Sequence, residues 1–222
     1  MKEYGVFDVI GPIMIGPSSS HTAGAARLGL TARKIAGEEI KEVVFYLHGS
    51  FAKTYSGHGT DKALVAGVLG LEPDDERIKN SCQLAQEKGL LYSFREKDLG
   101  EVHPNTVLIA METASGQRWE VTGSSLGGGK VRIISINDLE VEFSGEYTTL
   151  ITFHQDRPGI IADISAVLAK YKINVAFMRV FRLNRSANAV LIAETDEDIS
   201  NAVLTEIEKN AYIYLAKVLR PF

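Results

Sequence analysis

The sequence predicts a chain in two parts, a mixed α/β part followed by a compact α+β part of βαββαβ pattern. Three observations predict it. A β-branched and aromatic segment at 42–47 lies between apolar-periodic helical stretches. Strand-like segments at 106–111, 118–122 and 131–136 follow, separated by Gly-rich turns. From Thr148 onward the patterns run strand, helix, strand, strand, helix, strand. A length of 222 residues suits two domains better than one. The pattern resets near Ser144-Gly145-Glu146, so the expected domains are 1–145 and 147–222.

The first element is organised by Gly11-Pro12-Ile13-Met14-Ile15-Gly16-Pro17-Ser18-Ser19-Ser20-His21-Thr22. Pro17 pushes Gly16 out of the α region, so the chain reaches the serines from a turn. Serines ahead of an apolar-periodic segment are N-cap residues. Ala25, Leu28, Ala32 and Ile35 then share one helical face, and Gly37 stands where a C-cap belongs. Strand 42–47 leads into His48-Gly49-Ser50-Phe51, read as a loop, and Ser56-Gly57-His58-Gly59-Thr60-Asp61 starts a second helix over 62–69. Residues 73–88 read as one polar helix beginning at Pro73-Asp74-Asp75-Glu76, and 90–94 as a short strand. His103-Pro104-Asn105 is a turn before strand 106–111, and 114–117 connects a hairpin. Residues 123–130, rich in Gly and Ser, read as a flexible, donor-rich loop. Either it is a plain hairpin tip or its N–H groups close over a small polar ligand. Lys130 lacks the Ser or Thr and the helix that a phosphate loop needs. The last part has strand 148–153, turn 156–159, helix 160–171, strand 173–181, turn 183–186, strand 189–194, helix 199–207 and strand 213–219, the ferredoxin-like split arrangement.

Bulk composition narrows the function. Apolar content of 45% and charged content of 23% are those of an ordinary globular protein. A net charge of −4 without a basic run speaks against a nucleic-acid partner. Cys82 is the one cysteine; alone it makes no internal disulfide and holds neither zinc nor an iron–sulfur cluster, and a cytoplasmic location fits it. No segment has the length of a membrane span, and the apolar run 6–15 carries Asp8 and Pro12, unlike a signal peptide.

The candidate chemistry lies in two helix-start turns. Free N–H groups and the hydroxyls of Ser18, Ser19 and Ser20 suit a carboxylate, and the positive end of the helix dipole keeps His21 neutral and able to accept a proton. His58 repeats that setting. These two are the candidate catalytic residues; Ser18, Ser19, Ser20, Thr22, Asn105, Ser125 and Gly127 are the candidate substrate contacts. His48, His103 and His154 read as loop or surface residues.

Two resemblances add to this. His154-Gln155-Asp156-Arg157-Pro158-Gly159-Ile160, with Lys172-Ile173-Asn174-Val175, resembles an ACT domain. That implies a module that binds an amino acid near Asp156, Pro158, Gly159 and Asn174, or one that joins subunits; both stay open. The serine-histidine segment from Asp8-Val9-Ile10, with Gly57-His58-Gly59-Thr60-Asp61, Pro104-Asn105-Thr106 and Ser124-Ser125-Leu126-Gly127-Gly128-Gly129, resembles the β subunit of the bacterial iron–sulfur L-serine dehydratase over essentially the whole chain. The resemblance implies a first domain similar to the allosteric substrate-binding domain of phosphoglycerate dehydrogenase. It further implies loss of water and then ammonia from L-serine to leave pyruvate, with a [4Fe-4S] cluster as Lewis acid, held by an α subunit. A homodimer through the ACT domain or an α2β2 assembly is the expected state. The rival reading is a non-catalytic amino-acid sensor that regulates a metabolic enzyme.

Overall fold

A computed structural model describes residues 13–137, 139–182 and 188–221. Gly11, Pro12 and Asp8-Val9-Ile10, and the turn expected at 183–186, lie outside the described residues. The chain divides into two compact units, 1–137 and 138–222.

In the first unit, β1 (Ile40–Leu47), β2 (Leu91–Glu96), β3 (Thr106–Thr113), β4 (Arg118–Gly127) and β5 (Lys130–Ile136) stand in the order β2-β1-β3-β4-β5. β1 and β2 are parallel and the other pairs antiparallel. A parallel pair requires a long crossover. Here it carries α2 (Gly49–Thr54), α3 (Thr60–Val68) and α4 (Ser81–Glu87). The first helix begins as a π-helical turn, Ser19–Ala23, and continues as α1 (Gly24–Ala36), ending at Gly37 in the left-handed region as expected. Its Ala25, Leu28, Ala32 and Ile35 are all buried, as the periodicity required. α1 and α3 touch backbone to backbone. A Cβ at Gly29 would lie 2.5 Å from the Leu64 carbonyl oxygen, and one at Gly67 2.1 Å from that of Ala26.

Four expectations are corrected. The segment from His48 to Phe51 is not a loop: Gly49, at φ 55°, turns the chain so that α2 starts against Pro104, whose carbonyl accepts from Ser50 N–H at 2.8 Å. Periodicity does not register a helix of six residues. Residues 123–127 are strand, and the turn is only Gly128-Gly129. Gly123 sits in β4 because α1 packs there, with Leu28 Cδ2 2.5 Å from where its Cβ would be. The single helix expected over 73–88 is a 3₁₀ turn, Glu76–Asn80, capped by Asp75, followed by α4. His154 is not at the surface: it is 2% exposed, inside the strand Thr148–Gln155.

The second unit opens with β6 (Leu139–Phe143), which the sequence reading did not find. Then come β7 (Thr148–Gln155), α5 (Ile160–Lys170), β8 (Val175–Arg182), β9 (Asn188–Thr195), α6 (Asn201–Ile207) and β10 (Ile213–Leu219). The sheet order is β10-β7-β9-β8, antiparallel throughout. This is the βαββαβ arrangement. Leu150, Leu191 and Ala193 of the central strands bury against Ile164 and Leu168 of α5 and Val203 and Ile207 of α6. Each of the Leu, Ile and Val side chains among them contributes about 1.5–3 kcal/mol by leaving water.

Candidate functional site

The π-helical turn builds the centre of the site. Ser18 is extended (φ −141°, ψ 125°) and its hydroxyl accepts from His21 N–H at 3.2 Å, the N-cap bond that its place before a helix required. The wider π turn carries the His21 ring into a set of hydroxyls. Ser20 Oγ lies 3.0 Å from Nδ1, Ser18 Oγ 3.4 Å from the same atom, and Ser50 Oγ 3.2 Å from Nε2. The Phe51 ring stands 5.3 Å from the imidazole, centroid to centroid, inclined at 67°.

His58 joins from the turn before α3. Its ring stands 5.1 Å from that of His21, inclined at 61°. Thr22, 2% exposed, donates its hydroxyl to the His58 carbonyl at 3.3 Å, tying the two turns together. Residues 37 positions apart in sequence therefore share one place. His58 is exposed and His21 half-buried. Burial, first, and the neighbouring His58 charge, second, lower the pKa of His21, so its ring is held neutral.

The remaining candidates arrange around this pair through the backbone. Gly128 N–H donates to Ser19 Oγ at 3.2 Å, and Arg27 holds the Gly129 carbonyl at 2.7 Å, so the Gly128-Gly129 turn sits against the serines. Ser125 N–H donates to the Asn105 carbonyl at 2.9 Å, and Asn105 follows the Pro104 carbonyl that anchors Ser50. Gly127 ends β4 at φ 95°. The hydroxyls of Ser125 and Thr60 are wholly buried and have no hydrogen-bond partner. Such a group costs about 1–3 kcal/mol until something bonds it. The sequence reading singled out neither Ser50, which meets His21, nor the buried Thr60. Thr60 lies inside the motif that flagged His58, whereas nothing local to Ser50 signals its reach back to His21.

In the second unit, Asp156 pairs with Arg182 at 2.9 Å. Gly159 caps α5 at φ 99°, with open space where a Cβ would stand. Pro158 is exposed beside it. Asn174 gives its side-chain N–H to Asp196 and its backbone N–H to Glu197, each at 2.6 Å.

Among the described residues no group of three or more His, Cys, Asp or Glu side chains comes together around a metal position. With Cys82 the chain's one cysteine, these residues do not fit an iron–sulfur cluster. No described helix is long and apolar enough to cross a membrane.

Comparison with known proteins finds relatives along nearly the whole chain. The family model described as serine dehydratase beta chain matches residues 5–134, and the ACT domain model matches 148–211. The chain is 46% identical over 209 residues to the probable L-serine dehydratase, beta chain, of Bacillus subtilis, covering 94% of each. It is 43% identical over 209 residues to the L-serine dehydratase, beta chain, of Peptoniphilus asaccharolyticus, covering 93% of this chain and 94% of that one. The D-3-phosphoglycerate dehydrogenase of Synechocystis is 27% identical over 191 residues, 85% of this chain and 34% of that protein.

Proposed function

The chain belongs to the serine dehydratase beta chain family, and from that premise we propose what its residues do for the reaction. It is the beta chain of an L-serine dehydratase, a lyase, and its alpha partner completes the enzyme. Elimination of water from serine breaks the Cα–H and Cβ–O bonds and forms a C=C bond. The resulting enamine hydrolyses to pyruvate and ammonia. The proton needs a base, and the substrate carboxylate needs donors that hold the Cα–H bond towards that base.

The Ser18, Ser19 and Ser20 hydroxyls, with the N–H groups of the π turn, take the carboxylate, helped by the positive end of α1. Thr22, Asn105, Ser125 and Gly127 line the same place, and the buried hydroxyl of Ser125 gains its missing partner from the substrate. His21 and His58 receive and pass on the α-proton. The single observation that carries this reading is the 5.1 Å approach of the two rings beside three hydroxyls, with His21 held neutral by burial. The [4Fe-4S] cluster belongs to the alpha subunit, because this chain's residues do not fit it. The ACT domain binds an amino acid at Asp156, Pro158, Gly159 and Asn174, joins beta chains as a homodimer or within an α2β2 enzyme, and the assembly works in the cytoplasm.

The test is activity with the alpha subunit supplied. His21→Ala and His58→Ala each lower turnover by about 10²–10⁴-fold, the usual weight of general acid–base catalysis. Near-normal rates in both variants refute the assignment.

A further inference from the structure

We propose that Ser50 is a positioning residue of this site: its hydroxyl holds the second nitrogen of His21 and so fixes the orientation of that ring. The inference rests on His21 taking part in the reaction.

Ser50 lies in the first turn of α2 without serving that helix. The N-cap position is His48, and no side chain caps α2. The Ser50 hydroxyl is instead 3.2 Å from His21 Nε2, 29 positions away in sequence. The corner that carries it is clamped from several sides. His48 N–H donates to the Thr106 carbonyl at 3.0 Å, and His48 Nδ1 accepts from Leu99 N–H at 3.1 Å. Ser50 N–H donates to the Pro104 carbonyl at 2.8 Å, and the Ser50 carbonyl accepts the Thr54 hydroxyl at 2.8 Å. At Gly49 a Cβ would stand 2.8 Å from the Pro104 oxygen, so only glycine allows the corner to seat this deeply. Phe51, fully buried, follows and packs its ring at a steep angle against the same imidazole.

His21 is thereby held on three sides: hydroxyls at Nδ1, the Ser50 hydroxyl at Nε2, and the steeply inclined Phe51 ring. A hydroxyl donates to a bare ring nitrogen or accepts from an N–H, so the serines satisfy either tautomer, and what they fix between them is the plane of the ring. Without Ser50, mobile water replaces a fixed partner at Nε2, and the ring is free to turn.

The experiment pairs kinetics of the reconstituted enzyme with crystal structures of the full-length chain. Ser50→Ala lowers kcat by about 10–100-fold, the cost of losing a partner that orients a functional histidine, and changes KM for L-serine less than threefold. Ser50→Thr, which keeps the hydroxyl, recovers most of the rate. The His21 ring keeps one orientation in the unsubstituted chain and is turned or spread over several in Ser50→Ala. An unchanged kcat in Ser50→Ala alongside a crippled His21→Ala overturns the proposal. So does a loss that Ser50→Thr does not recover, or a Ser50→Ala structure with the ring unmoved. If His21→Ala keeps full activity, the catalytic reading fails, and the structure still decides whether Ser50 sets the ring.

Discussion

Gly67→Ala tests whether the close crossing of α1 and α3 is what brings the two histidines together. Gly67 is buried inside α3, and its added methyl would lie 2.1 Å from the Ala26 carbonyl oxygen and 2.6 Å from Leu30 N. Ordinary contact begins at 3.4 Å, so the shortfall exceeds an ångström. Two effects oppose each other. Alanine in a helix interior gains about 1 kcal/mol over glycine. Overpacking costs about 1–3 kcal/mol, and the upper end applies because the obstacle is helix backbone rather than the tip of a flexible side chain. The clash wins, for a net loss of about 2 kcal/mol, seen as a fall of roughly 8 °C in Tm for a unit of this size. His58 stands two residues before α3 begins, so any relief that slides α3 off α1 also parts the imidazoles. A misplacement of about 1 Å can cost on the order of a hundredfold in rate. Thermal unfolding of the full chain and turnover with the alpha subunit are the two readouts. Gly57→Ala is the control, since its nearest neighbour is the Thr54 carbonyl oxygen at 3.8 Å. A Gly67→Ala chain that melts at or above the unsubstituted one, with full activity, refutes the reasoning.

Ser125→Ala removes a buried hydroxyl that has no partner, so the ligand-free chain gains up to about 1–3 kcal/mol while KM for L-serine rises; a urea midpoint that falls argues against the orphaned hydroxyl. His154 is buried, which lowers its pKa against a smaller opposing pull from the Thr152 carbonyl and Asp156. The unfolded chain therefore takes up the proton first. This contribution to stability is complete above about pH 6.5 and declines as the pH falls below it. His21, also lowered, adds with the same sign. Urea midpoints between pH 5 and 7.5 should fall with acidification, less steeply in His154→Gln, and an unchanged slope in that variant would show that His154 is not responsible.

Much of the architecture was legible because it is written in periodicity. The face Ala25, Leu28, Ala32 and Ile35 gave α1, and the βαββαβ order gave the second unit nearly element by element. What escaped depends on tertiary contact. Gly123 looks like loop punctuation, yet it is the point where Leu28 needs room against a strand. His154 looks polar, yet two neighbouring strands pair across it, to Ala189 and Ile213. The site divides in the same way. Ser18 to His21 is a local motif, because a helix start with a cap is a local event, and the Gly-His-Gly turn repeats it. Their meeting was not visible locally. It follows from Gly29 and Gly67, two glycines in helix interiors, where they cost stability by themselves. A glycine that weakens its own helix and has a neighbour's backbone within 2.5 Å of its absent Cβ makes room for that neighbour. The elements so joined start at the two turns that carry the imidazoles. Helix-interior glycines thus indicate which distant motifs share a site, whereas Ser50, which reaches His21 from a corner clamped by four hydrogen bonds, leaves no such mark in the sequence.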